Sequence, residues 1–150
     1  MLFRSGQEIL ADAMIPNLLA KSDAARKNPR RGEIEAGLRQ TIMATPISTI
    51  VAALSALGAR PDMVEPMRLL AVPTLLVVGA EDTITPPECM QRAERVFPNP
   101  RLLILPHCGH LAPLESPEAF NAAAVEFLRE VAGAGADRGR AAARETVAGR

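Results

Sequence analysis

Two short apolar runs, TLLVV at residues 74–78 and LLIL at residues 102–105, constrain the fold more than anything else in the chain. Neither alternates apolar with polar residues, so both read as strands covered on both faces, the pattern of a parallel sheet. Between them Thr85, Pro86 and Glu88 fill the cap, first and third positions of a helix, a Thr-x-x-Glu capping box. That helix runs to about Val96 and stops at Phe97-Pro98. A strand–helix–strand crossover makes the two strands parallel, so both finish on one edge of the sheet. Ligand sites of open α/β sheets lie along that edge. The fold class is α/β, and the loops after the two strands are where chemistry is expected.

The rest of the chain reads as helix. Over residues 7–21, Ile9, Leu10, Met14, Leu18 and Leu19 form a rough stripe interrupted by Pro16. Residues 21–32 are polar and break the pattern. Residues 33–45 are a second helical segment, with Ile34, Leu38, Ile42 and Met43. A third has Thr45 as cap, Pro46 at its first position, a stripe of Ile47, Ile50, Val51, Leu54 and Leu57, and Gly58 as its stop. Residues 60–62 are a turn, and residues 63–70 a short helix or loop. A last helix starts with Ser116 as cap and Pro117 in its first turn, burying Phe120, Ala124, Phe127, Leu128 and Val131. From Gly133 the chain is rich in Ala, Gly and Arg, and residues 133–150 are expected to form a disordered tail.

Two strands cannot close a domain, because their faces and edges need more cover than these helices supply. The sheet therefore reads as the end of a larger one. Residues 1–5, MLFRS, are what ATG followed by CTCTTCCGATCT would encode, a string resembling a sequencing-adapter end, and they are set aside as non-native.

Lys and Arg (17) balance Asp and Glu (17), which offers no footprint for nucleic acid or an anionic membrane. No apolar run approaches the roughly 20 residues of a membrane span. The first ten residues lack the apolar core of a signal peptide. Cys89 and Cys108 make no disulfide framework, and the expected setting is cytoplasmic. Two histidines without a Cys-x-x-Cys give no metal ligand set, and no Gly-rich phosphate loop follows a strand, so no metal or cofactor is expected.

Asp82 lies just past the end of the first strand, and His110 in the loop after the second. Neighbouring loops thus carry an acid and a base, placed for a carboxylate to accept the imidazole Nδ1–H. Asp82 could instead cap the following helix, but Thr85 already fills that slot. Glu81 is the rival carboxylate. His110 could be a structural loop residue; for His107, three positions earlier, that reading prevails. Glu115 precedes the cap of the last helix and reads as structural, bonding backbone near the histidine loop or favouring the helix dipole.

These residues resemble the α/β-hydrolase superfamily. Gly79-Ala80-Glu81-Asp82 with Pro86 is similar to its acid loop, and Gly109-His110 with Glu115-Ser116-Pro117-Glu118-Ala119-Phe120-Asn121 to its histidine loop and last helix. Ala59-Arg60-Pro61-Asp62 leading to Val72-Pro73-Thr74 is similar to esterase and lactonase-like members, including the 3-oxoadipate enol-lactonase group. The resemblance covers about residues 30–130. It implies that Asp82 is the acid and His110 the base of a Ser-His-Asp triad that hydrolyses small carboxylic esters or lactones. It implies a helical cap over residues 1–70 and the C-terminal part of the hydrolase core over residues 71–132.

The departure is the nucleophile. Among Ser5, Ser22, Ser48, Ser55 and Ser116, none stands in G-x-S-x-G. Cys108, in PHCGH, reads as a small buried residue. The oxyanion hole would come from the residue after the nucleophile and from an earlier loop. The chain is therefore expected to be an inactive hydrolase fragment. The alternatives are a binding or interaction module and one subunit of a split hydrolase. Self-association through an exposed sheet edge is expected as well.

Overall fold

The structure, a computed structural model, describes residues 5–148, with side chains over residues 5–134. The element order is α1 (Gly6–Leu18), α2 (Asp23–Arg26), α3 (Arg31–Ala44), α4 (Ile47–Gly58), α5 (Val64–Arg68), β1 (Thr74–Gly79), α6 (Pro87–Glu94), β2 (Pro100–Leu105), α7 (Ala112–Glu115) and α8 (Pro117–Ala148). Residues 1–4, part of the stretch set aside as non-native, lie outside the described residues.

Local signals start the first helices. The Ser5 side chain accepts the amide of Glu8 while the Glu8 carboxylate accepts the amide of Ser5, a reciprocal cap. Pro16 sits inside α1, which ends two residues later. The polar stretch after it holds the single turn α2, capped by Ser22. At α4 the cap is Pro46 rather than Thr45. The Thr45 hydroxyl instead donates to the carbonyl of Thr41 at 2.7 Å, binding back onto α3.

β1 and β2 pair in parallel, with Leu76 opposite Leu102 and Gly79 opposite Leu105. The crossover through α6 gives the α/β arrangement expected from the apolar runs. The strands are less covered than such runs demand: only Val78 and Gly79 of β1 and Leu105 of β2 are buried. The reason is the two-stranded sheet itself, in which β1 has no second strand partner among the described residues.

The core has two centres. Ala11, Ile15, Leu19 and Ile34 pack α1 against α3, joined by Leu38, Ile42 and Leu111. Leu105, Cys108 and Ala112 pack under the sheet edge with Val77, Leu103 and Phe120. Burying a side chain such as Leu19 stabilises the fold by roughly 1.5–3 kcal/mol. Leu111 belongs to the first centre yet directly precedes α7, so the histidine loop is packed against the α1–α3 pair.

Two expectations are corrected. In α8, Phe120, Ala124, Phe127 and Val131 are half-buried as a stripe, but Leu128 lies off it and is exposed. The α8 backbone also stays helical to Ala148, where a disordered tail was expected from Gly133. Ala and Arg, the commonest residues of that stretch beside Gly, are among the strongest helix formers, and their propensity there opposes the lack of an apolar stripe.

Candidate functional site

The site begins where β1 ends. The amides of Ala80 and Glu81 donate to the carbonyls of Leu105 and Cys108, each at 2.8 Å, pinning the acid loop to the histidine loop. The two loops touch backbone to backbone. A Cβ on Gly79 would lie 2.2 Å from the carbonyl oxygens of both Cys108 and Gly109, so only glycine fits. A Cβ on Gly109 would lie 2.6 Å from the amide nitrogen of Ala20, just past α1. Three segments distant in sequence thus meet at two glycines. His107 turns the chain with φ of 57°, a left-handed conformation that His adopts more readily than most residues.

Asp82 is buried and fully engaged. Its Oδ1 accepts the amides of Ile84 at 2.8 Å and Thr85 at 2.9 Å. Its Oδ2 accepts the Thr85 hydroxyl at 2.8 Å and lies 2.9 Å from His110 Nδ1. Burial resists ionisation of this carboxyl. The Thr85 amide, His110, the Thr85 hydroxyl and the Ile84 amide outweigh it and hold the group below its usual range.

The capping box expected at Thr85 does not form. The N-cap of α6 is Pro86, without a side-chain bond, and the Thr85 hydroxyl turns back to Asp82. Asp82 therefore organises its own turn and also meets the histidine; the two roles share one carboxylate. Thr85 was missed because T-P-P-E reads locally as a helix start. The usable signal was D-x-x-T, a spacing at which an Asp side chain gathers amides two and three residues on.

His110 donates its amide to the carbonyl of Leu18 at 2.9 Å, and its side chain is about one-third exposed. A carboxylate only accepts hydrogen bonds, so the contact with Asp82 places the proton on Nδ1 and leaves Nε2 with a lone pair. An imidazole in this state can take a proton from a nucleophile. Beside the pair is a cavity of about 250 Å³ lined in part by Val78, Thr85, Met90 and Phe120.

Two further carboxylates set the loops. Glu115 is buried; one oxygen accepts the amide of Gly109 and the other the amide of Ala20, both at 2.7 Å. Of its two structural readings, this is the one in which it bonds backbone near the histidine loop. Glu81 accepts the amides of Lys21 and Ser22 at 2.8 Å. The Ser22 side chain first, then these amides and the nearby His107, hold it below the usual carboxylate range against burial. Glu81 thus faces the α1–α2 junction rather than His110. The exposed His107 lies 3.8 Å from Glu81.

Cys108 is buried, and burial, with Glu115 second, pushes its thiol up, away from a nucleophilic thiolate. Ser5 and Ser22 cap helices, Ser48 and Ser55 lie in α4, and Ser116 precedes α8, so the structure brings no serine onto a strand–turn–helix elbow. Among the described residues no cluster of three or more His, Cys, Asp or Glu side chains could hold a metal ion. No single described helix is long and apolar enough to cross a membrane.

Residues 2–123 match the sequence model of the alpha/beta hydrolase family. The chain is similar to a thermophilic esterase from Thermogutta terrifontis, with 35% identity and a TM-score of 0.77 over 85% of this chain and 46% of that one. Sixty-two residues are 39% identical to 2-hydroxy-6-oxo-6-(2'-aminophenyl)hexa-2,4-dienoic acid hydrolase of Metapseudomonas resinovorans, 41% of this chain and 21% of the relative. A 59-residue stretch is 36% identical to pimeloyl-[acyl-carrier protein] methyl ester esterase of Nitrosomonas europaea, 39% of this chain and 23% of the relative. The chain thus spans under half of the solved esterase, and its matches to the two curated relatives span under a quarter of each.

Proposed function

Because the chain belongs to the alpha/beta hydrolase family, we propose that it is the acid- and base-bearing part of a serine hydrolase acting on small carboxylic esters or lactones. In this reading Asp82 is the triad acid and His110 the base. The nucleophilic serine and oxyanion hole stand on polypeptide outside these 150 residues, which contain no G-x-S-x-G. The observation that carries the reading is the 2.9 Å contact between His110 Nδ1 and the buried Asp82 Oδ2, with the imidazole open to the cavity.

The chemistry follows from the tautomer. Nε2 removes the serine proton as Oγ attacks the carbonyl, and Asp82 stabilises the imidazolium that results. The imidazolium gives that proton to the leaving alkoxide, and the acyl-serine remains. Nε2 then takes a proton from water as it attacks the acyl-serine, and the imidazolium returns that proton to the departing Oγ, which frees the acid and restores the serine. Residues 7–70 act as the cap over the acyl or alcohol pocket, while the chain alone lacks turnover.

The test expresses the longest reading frame that contains these codons at its source locus and assays p-nitrophenyl esters and lactones. His110→Ala and Asp82→Asn are each expected to lower kcat by about 10³–10⁴. Full activity in His110→Ala overturns the assignment. A second reading, an interaction module or a subunit of a split hydrolase, draws on the exposed apolar stripe of Ile47, Val51, Leu54 and Leu57 along α4. Like the first reading, it predicts no labelling of the 150-residue chain by a serine-directed fluorophosphonate. The split subunit alone gains turnover on mixing with a serine-bearing partner.

A further inference from the structure

Asp82 Oδ2, Thr85 Oγ and His110 Nδ1 form a closed triangle with sides of 2.8, 3.2 and 2.9 Å. A hydroxyl has one proton. The Thr85 proton goes to Asp82, since Asp82 accepts only and is the nearer partner. The His110 Nδ1–H is also directed at Oδ2, its nearer acceptor, with the Thr85 oxygen a longer one at 3.2 Å. Two donors therefore converge on one carboxylate oxygen, while Oδ1 is taken by the Ile84 and Thr85 amides. From this we infer that Thr85 is a positioning residue that competes with His110 for Asp82 Oδ2 and so tempers the basicity of the imidazole.

The competition has a direction. Each hydrogen bond given to a carboxylate spreads its charge and weakens its grip on the next donor. With the Thr85 hydroxyl in place, Asp82 stabilises an imidazolium less than it would alone, and Nε2 gives up its proton more readily. For an acid–base group that must both take and return a proton, moderation helps both transfers. The same hydroxyl can turn to donate to an unprotonated Nδ1, so its removal also strips the other tautomer of a partner. When Thr85 is lost, the first effect strengthens the Asp82–His110 bond, and the second favours the Nδ1-protonated forms that make it.

The charged groups around His110 leave this triangle in control. Glu115 is committed to the amides of Gly109 and Ala20, and Glu81 to those of Lys21 and Ser22. Arg31, from α3, donates to the carbonyl of Ala20 and to Glu35. His107 lies beside Glu81. The inference rests on reading Asp82 and His110 as an acid–base pair, and its test needs no turnover.

The experiment is a ¹⁵N and ¹H titration of the two imidazoles in the 150-residue chain, with His107 as internal reference. Thr85→Val is expected to raise the proton affinity of His110 about two- to tenfold, the factor set by one net hydrogen bond. Thr85→Ser keeps the hydroxyl and restores the parent titration. In the Asp82→Asn background Thr85→Val has no further effect. An unchanged or lowered affinity in Thr85→Val overturns the inference, as does an effect that survives in Asp82→Asn. If Val unfolds the chain, Thr85→Ala takes its place with the same expectation. If Asp82→Asn alone leaves His110 unmoved, the acid–base pair itself fails, a result separate from failure at Thr85.

Discussion

Glu115 offers the sharpest quantitative test of how this site is held. Its two oxygens accept the amides of Gly109 and Ala20 in a buried setting, one from the histidine loop and one from the chain just past α1. Glu115→Ala removes both acceptors and leaves two buried N–H groups without partners. Hydrogen bonds to a charged group contribute about 1.5–3 kcal/mol each, so the loss is about 3–6 kcal/mol. Glu115→Gln keeps one acceptor but turns an NH₂ toward the other amide, donor against donor, and costs about 2–3 kcal/mol. Against a total stability of about 5–15 kcal/mol for a domain, either change is large. Urea unfolding followed by circular dichroism reads it directly. With a slope of about 1.5 kcal/mol/M, the midpoint falls by about 2–4 M for Ala and about 1.3–2 M for Gln. Asn28→Ala is the comparison: it removes a donor to the Glu115 carbonyl at 2.8 Å and an acceptor of the Arg30 amide at 2.9 Å, two bonds to neutral groups that should cost about 0.5–1.5 kcal/mol each. Parent-like stability in Glu115→Gln would refute the reasoning, because a double acceptor would then not be what the site requires.

Other outcomes follow from the same geometry. Gly79→Ala drives a methyl into two carbonyl oxygens at 2.2 Å and is expected to cost more than about 3 kcal/mol, read as a drop in melting temperature; a parent-like melt counts against the close approach. The Asp82 carboxyl is held below its unfolded value, so its stabilisation is complete above that value and is lost as pH falls through the lowered one. The stability gap between parent and Asp82→Asn should thus shrink as pH falls below about 4; a gap that widens below that pH contradicts the sign. Leu19, nearly fully buried, should lose about 2–5 kcal/mol on replacement by Ala, with its denaturation midpoint as the measure. The exposed stripe on α4 predicts association that grows with concentration in sedimentation velocity and is reduced in Leu54→Glu; a monodisperse monomer at high concentration speaks against it.

Much of the site could be read from residue order. Apolar runs without alternation gave parallel strands, and parallel strands with a short crossover put Asp82 and His110 on one edge whatever the rest of the chain does. What stayed hidden was of two kinds. Thr85 sat in a string whose local chemistry, a capping box, competes with a tertiary bond; the buried carboxylate won because Asp82 had four donors to gather and α6 could start from Pro86 unaided. The bonds from Ala20 to Glu115 and from Leu18 to His110 join residues with no local pattern between them, so nothing in either segment announces the other. Glu115 was recognisable as a backbone ligand, but not as the tie to α1. The apolar face of α4 was easily seen and still misleading, since amphipathic spacing tells which side wants cover and not whether the chain supplies it.

The bond between Ala20 and Glu115 spans 95 positions, and that distance sets an order on synthesis. A ribosome adding about 5–20 residues per second makes α1 and then needs roughly 5–20 s to reach the carboxylate that secures its end. During that interval α1 and α3 can pair, but the Ala20 amide stays in water and Asp82 emerges without a histidine. The base and its anchoring carboxylate appear within six positions of each other, so the loop and its clamp arrive together. A nascent chain arrested before residue 110 holds a finished first strand and no His110, and the Asp82–His110 contact is secured only once translation has passed Glu115.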